Sequence, residues 1–349
     1  MDTGDISFTS FGLVVLDEIR IPNQKPLTNI LGGSGAHATL GARLFQAPPL
    51  NRTLAWPIHI GHDFPGPIAD LLQSWGITLV IKEELDQPST RGLLEYKDTT
   101  FGPKDFKYTT PVLAVDESHA EGSRILASRV YHYLATPRDI ISRVSTLLAM
   151  RQEAGISSRP LIIWEPSPLA CSPDNLQDCL EAARCVDVLS PNHLELAKLF
   201  SQAPGAAFAK SMIEELVTKF LDSGVGPDGT GAIVVRAGEH GCLVQSRDIS
   251  PKWLPPFYGT GFVGRKDSPV VDPTGAGNAF LGGYGVGYIQ TGDAVHAACY
   301  GSVAASFALE QIGMPEKVDQ GDTELWNGVS VGTRLREYMS GEENKSIYA

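Results

Sequence analysis

From Arg124 onward the chain repeats one pattern, a short run rich in Val, Ile and Leu followed by a longer stretch with helical spacing. RILASRVYHYL, RPLIIWEP, CVDVLSP and AIVVRAG read as strands, and 139–154, 175–183, 194–200 and 211–221 as helices. Strands alternating with helices imply right-handed crossovers and a mainly parallel sheet covered on both faces. The N-terminal part fits the same scheme. Ile6 to Ile19 reads as a strand, 34–45 as a helix opened by glycines, TLAWPIHIG and GITLVIKEE as further strands, and 68–75 as a helix. Residues 88–114 differ: aliphatic or aromatic residues alternate with polar ones around a turn at Gly102-Pro103, which suggests a hairpin with one exposed face. A glycine cluster, Gly275 to Gly287, and an alanine-rich helix, 294–310, close the pattern. With no repeat and no low-complexity linker, the expectation is one doubly wound α/β domain over 1–336, a small β excursion, and a frayed acidic tail at 337–349.

At 349 residues, 42% hydrophobic and 19% charged, the chain can bury a sizeable core. A net charge of -12 argues against nucleic-acid or anionic-membrane partners, although it leaves room for a nucleotide held by a few local donors. No apolar run approaches the ~18 residues of a membrane span. The start MDTGDISFTS lacks a basic region followed by an apolar one, so no secretory signal is expected. Five cysteines without a CxxC pair read as free thiols of a reducing compartment, cytoplasmic or nuclear.

Four motifs carry chemistry. In VVDPTGAGNAFLGGYGVG an apolar strand end, a Thr-Gly-Ala-Gly turn and a helix follow without a spare residue. Such a turn points backbone N–H groups outward beside a helix N-terminus and suits a phosphate, or it is simply a tight turn that needs glycine. In LGGSGAHATLGARL, Gly33-Ser-Gly35-Ala-His-Ala38 resembles the dinucleotide fingerprint, but the polar stretch before it and the lack of an acid in 46–59 argue against an NAD site. In LSPNHLELAKL, Asn192 and Glu195 can serve one site or form a helix-capping pair. In VVRAGEHGCLV, Gly238 and Gly241 bracket a tight turn between two strands.

The order of these pieces, Gly-Gly, N-x-x-E, G-x-x-G and D-x-T-G-A-G, resembles the PfkB family of carbohydrate and nucleoside kinases over about Ile6 to Gly313. GHDFPG, STRG and WEPSP stand where the family has similar short motifs. The resemblance implies a ribokinase-like fold with a β lid from about 16–29 and 90–113. It also implies ATP along Gly238, Gly241 and the C-terminal helix, with Asn192 and Glu195 helping to place Mg²⁺ and phosphates. Gly275, Ala276 and Gly277 match the anion hole, Asp272 a monovalent-cation position such as K⁺, and Asp17 the sugar-hydroxyl binder beside Gly32, Gly33 and His37. A monomer, or a homodimer through the lid, is the implied assembly.

Departures shape the functional expectation. The family motif ends in an aspartate that takes the proton of the attacking hydroxyl, and here it is Asn278, an amide that cannot. His37 replaces a common Asn, and Val15 and Ala135 stand where ribokinases carry polar sugar contacts. A general base is worth ~10²–10⁴-fold, while phosphoryl transfer rests mostly on positioning and charge. The expectation is therefore a slow ATP-dependent phosphotransferase on a sugar or related alcohol that Asn278→Asp would accelerate. The alternative is a catalytically weak nucleotide- or metabolite-binding protein acting through a partner.

Overall fold

The structure is a computed structural model that describes residues 5–98, 104–202, 207–259, 269–321 and 323–346, with side chains to 341. The turn expected at Gly102-Pro103 lies outside these residues. Among the described residues the main sheet has nine strands, in the order Lys252–Leu254, Cys242–Gln245, Ala232–Arg236, Val188–Leu189, Leu161–Pro166, Val130–Ala135, Phe8–Ser10, Leu54–Gly61, Thr78–Glu84. All neighbours are parallel except the first two pairs.

Strand alternation divides the core into two layers. Tyr131, Tyr133, Ile162, Trp164, Ile233 and Val235 pack with helices Pro137–Glu153, Leu176–Ala183 and Lys210–Ser223. Val130, Ile163 and Val234, one step out of phase, pack with helices Ser34–Arg43, Ala276–Thr291 and Ala294–Leu309. The two-residue period then puts His132, Glu165 and Arg236 on this second face, the last two at the C-terminal strand ends where open α/β sheets bind ligands.

A second sheet, in the order Leu27–Gly32, Val15–Arg20, Arg91–Tyr96, Lys104–Tyr108, forms the lid and mixes antiparallel with parallel pairs. The run from Ile6 to Ile19 is thus two strands in two sheets, because the chain crosses from core to lid at Phe11 to Val14. Leu27–Gly32 is a lid strand, so the glycines at 32–35 do follow a strand, but one outside the parallel sheet that a dinucleotide fold requires. Among the described residues no strand runs into the Gly275 turn; Val271 and Asp272 instead donate their N–H groups to Leu309 O at 2.7 and 3.2 Å. Of the tail expected to be frayed, 337–346 is helical, the end of Val331–Ser346. Among the described residues no helix is long and apolar enough to cross a membrane.

Candidate active site

Helix Ala276–Thr291 starts from Gly275 at φ +77°, a conformation that favours glycine. The His37 ring packs directly on it, since a Cβ at Gly275 would lie 2.2 Å from the ring. Gly277 is held open in the same way by Arg236, whose Nη1 would stand 2.0 Å from a Cβ there. Of the expected anion hole, Ala276 N–H already donates to Pro273 O at 3.3 Å.

Around this turn the strand ends assemble a charged cluster. Arg236 Nη2 lies 2.9 Å from Glu165 Oε1 and 3.7 Å from Glu195 Oε2, and donates to Ser190 O at 3.0 Å. Asn278 Nδ2 donates to Glu165 Oε2, which His132 Nε2 approaches at 3.6 Å. Asn192 accepts from the N–H groups of Leu194 and Glu195 at 2.9 and 2.8 Å, and Glu195 accepts from Asn192 N–H at 2.7 Å, so the capping reading is realised and fixes both side chains. Burial pushes the Glu165 carboxyl up, but Arg236 and His132 outweigh it and hold it below the ordinary value. Burial, aided by the charge of Glu165, keeps Glu195 above its own despite Arg236.

The opposite wall belongs to the lid. Asp17, 5% exposed, points beneath the lid into space that Gly32 leaves open, since a Cβ there would lie 1.9 Å from Oδ2. Burial raises its carboxyl to about 7, with Lys104 opposing and Asp272 adding. Burial lowers His37, 4% exposed, to about 4, so its ring is neutral near pH 7. Among the described residues neither Asp17 Oδ1 nor His37 Nδ1 has a hydrogen-bond partner. Asp272 Oδ1 accepts from Tyr96 Oη at 2.7 Å, Thr274 N–H at 2.9 Å and Thr274 Oγ1 at 2.6 Å. Lys104 reaches down from the lid to Thr274 Oγ1 and to Tyr96 Oη at 3.2 Å, 4.0 Å from Asp272. The remaining cavity between Asp17, His37, Leu94, Asp272 and Thr274 is ≈ 10 Å³, room for about one water.

Asp17 and His37 therefore share a buried pocket with Asp272 and Thr274, whereas the Asn278 side chain is turned to the sheet wall, toward Glu165. The positive charge beside Asp272 is a lysine, an arrangement that does not fit a monovalent cation there. Gly238 and Gly241 form the expected turn, at φ +57° and +87°, with His240 stacked on Phe208 at 3.7 Å. Among the described residues no group of three or more His, Cys, Asp and Glu side chains could hold a metal by itself. Mg²⁺ needs only one or two carboxylates when phosphates complete its shell, so Glu195 remains compatible. Arg236, Glu165, Tyr96 and Lys104 escaped the sequence reading. The first two carried a usable signal, a charge placed two residues after an inward apolar residue at the end of a buried strand.

The model of the pfkB family carbohydrate kinases matches residues 60–320. The chain belongs to that family. An uncharacterized protein of Schizosaccharomyces pombe is 31% identical over 342 residues, covering 96% of this chain and 93% of its own length. The fold is ribokinase-like. A ribokinase from Giardia lamblia superposes with a TM-score of 0.69 at 15% identity, covering 97% of this pfkB-family chain and 99% of its own. A candidate ribokinase II from E. coli, solved in complex with ATP and Mg²⁺, gives 0.64 at 17% identity, covering 88% and 94%.

Proposed function

We propose that this pfkB-family protein transfers a phosphoryl group from ATP to a hydroxyl of a sugar or related small alcohol. The observation that carries the reading is the placement of Arg236 over Gly277 at the start of a buried helix. A terminal phosphate arriving at this turn meets the positive helix end, the backbone N–H groups of Gly275 and Gly277, and a guanidinium, the preorganised charge on which phosphoryl transfer depends. ATP in this reading runs from the turn toward Gly238 and Gly241. Glu195, positioned by Asn192, would hold Mg²⁺ through its carboxylate or a bound water, and the ion supplies charge neutralisation on the phosphates. With the lid in its resting position Lys104 compensates Asp272, and the reading places no K⁺ there.

The acceptor enters from the lid side, where Asp17 offers a buried carboxylate oxygen to hydroxyl donors. Tyr96 and Lys104 fill that space, so the lid strands must lift for it to bind. Asn278 can accept a hydrogen bond from the attacking hydroxyl but cannot take its proton, and turnover is slow. The filled acceptor pocket and the amide at 278 favour a second reading, a nucleotide-binding protein acting through a partner. Thermal shift with ATP and Mg²⁺, followed by ADP release over an acceptor panel, separates the two. Stabilisation with turnover supports the kinase, stabilisation without turnover on any acceptor the second reading, and an unmoved melting curve neither.

A further inference from the structure

Glu165 touches Asn278, the side chain that stands where the family motif ends in aspartate. Three groups address its carboxylate: Arg236, two strands away in the sheet, at 2.9 Å, His132 at 3.6 Å, and the Asn278 amide. Arg236 also serves Glu195 at 3.7 Å, so one guanidinium is shared between two buried carboxylates. An ionised carboxylate only accepts hydrogen bonds. Asn278 must therefore turn its NH₂ toward Glu165, since the flipped amide would set a carbonyl oxygen against the carboxylate. Oδ1, an acceptor, is the atom left for a donor from the substrate side.

An aspartate at 278 would meet different neighbours. Its carboxylate would stand within hydrogen-bond distance of Glu165 with no proton between them, making three carboxylates around a single arginine. Like charges this close cannot both ionise freely, and one of them titrates at a raised pH or moves away.

Resting on the kinase reading for its catalytic half, we infer that Glu165 is the positioning residue of Asn278: its carboxylate fixes the amide with Oδ1 as the alcohol's hydrogen-bond acceptor and, by its charge, makes position 278 unsuited to aspartate. Asn278→Asp alone does not create a working base in this site. Paired with Glu165→Gln it does, because the glutamine amide can donate to the introduced carboxylate and the cluster returns to two carboxylates around Arg236. In the double variant the alcohol proton passes to the carboxylate at position 278 as the alcohol oxygen bonds to the γ-phosphorus. The bond from that phosphorus to the bridging oxygen breaks, ADP leaves, and the protonated carboxyl group releases its proton to solvent.

The test is a cycle of four full-length proteins: the natural chain, Glu165→Gln, Asn278→Asp and the double variant. Thermal stability at pH 5.5 and 8 reads the charge coupling without any acceptor. A carboxyl whose pKa is raised on folding contributes stability that is present at low pH and lost as pH rises through the folded value. Asn278→Asp should therefore lose more melting temperature at pH 8 than at pH 5.5, and the double variant should recover most of that loss and show no such pH difference. For turnover, read as ADP release over the acceptor panel and as background ATP hydrolysis, Glu165→Gln should lower kcat ~10-fold with KM for ATP unchanged. Asn278→Asp should gain nothing, and the double variant should exceed the natural chain by up to ~10²-fold. An Asn278→Asp offset that is equal at both pH values, or an Asn278→Asp protein that turns over as fast as the double variant, overturns the inference. The single Asn278→Asp comparison carries the charge test even if Glu165→Gln fails to fold. ATP binding by calorimetry separates the two claims: if none of the four binds ATP, the kinase reading falls, while the stability cycle still decides whether the residues are coupled.

Discussion

The two walls of the site solve the problem of buried charge in opposite ways. On the sheet wall, Glu165, Glu195 and Arg236 sit at strand and helix ends, and each carboxylate has the guanidinium within 4 Å. Main-chain geometry fixes them, and one guanidinium serves both carboxylates before any ligand arrives. On the lid wall, Asp17 is buried without an ion pair in contact among the described residues, and its carboxyl is pushed up to about 7, while Lys104 leans across from a lid strand to Thr274. One wall shares a cation between its buried carboxylates; the other holds, among the described residues, an unpartnered carboxylate oxygen beneath the lid strands. In the proposed function the nucleotide meets the wall that is already in place, whereas the acceptor must rearrange the lid.

Removing the arginine should break the sheet wall most severely. Arg236→Met leaves two buried carboxylates without their cation and should cost ~3–5 kcal/mol, in the range of broken buried pairs. The ATP-induced melting shift should vanish with it, and Arg236→Lys should restore part of both. A Met variant as stable as the natural chain in urea denaturation would mean that charge matching does not hold that wall together.

The lid wall should reveal itself through pH. Because the folded-state carboxyl of Asp17 is raised to about 7, it contributes stability below its unfolded value that is lost as pH climbs toward 7. Relative to the natural chain, Asp17→Asn should gain ~2–4 kcal/mol between pH 5 and pH 8, and a flat difference would show that folding does not raise the Asp17 carboxyl. His37 works in the other direction. Its folded value is depressed to about 4, so its stabilising contribution is present above the unfolded value and lost as pH falls toward 4. His37→Gln should flatten that acid limb by ~2–3 kcal/mol in the same denaturation series.

The smallest effect belongs to the cover. Lys104→Met removes a partly exposed contact and should change global stability by less than ~1 kcal/mol. It should nevertheless speed amide exchange in Arg91–Tyr96 and Lys104–Tyr108 and raise the Asp17 carboxyl further, because Lys104 opposes that rise. Unchanged exchange would show that the lysine does not latch the lid.

Much of the fold was legible because its period is local. The alternation from 124 onward, the capping pair Asn192–Glu195 and the glycine turn each depend on neighbours a few residues away. What escaped depended on which sheet a strand joins: the run from Ile6 to Ile19 is apolar throughout, and nothing in it marks where the chain leaves the core for the lid. The helix at Val331–Ser346 was missed because its polar sequence resembles a tail.

The site divides along the same line. The sequence by itself determined that an amide stands at 278, that a glycine turn precedes a helix, and that His37 follows a second glycine turn, since these follow from residue identity and short-range spacing, while the place of Asp17 beside that turn came from the family resemblance. Only the tertiary structure decided what Asn278 touches. Glu165 precedes it by 113 positions, and Arg236 comes from another strand again. Their meeting is set by strand order and by the two-residue period that turns both toward one helix. Electrostatic coupling acts over a few ångströms, and the chemistry of position 278 is fixed by neighbours that chain distance hides.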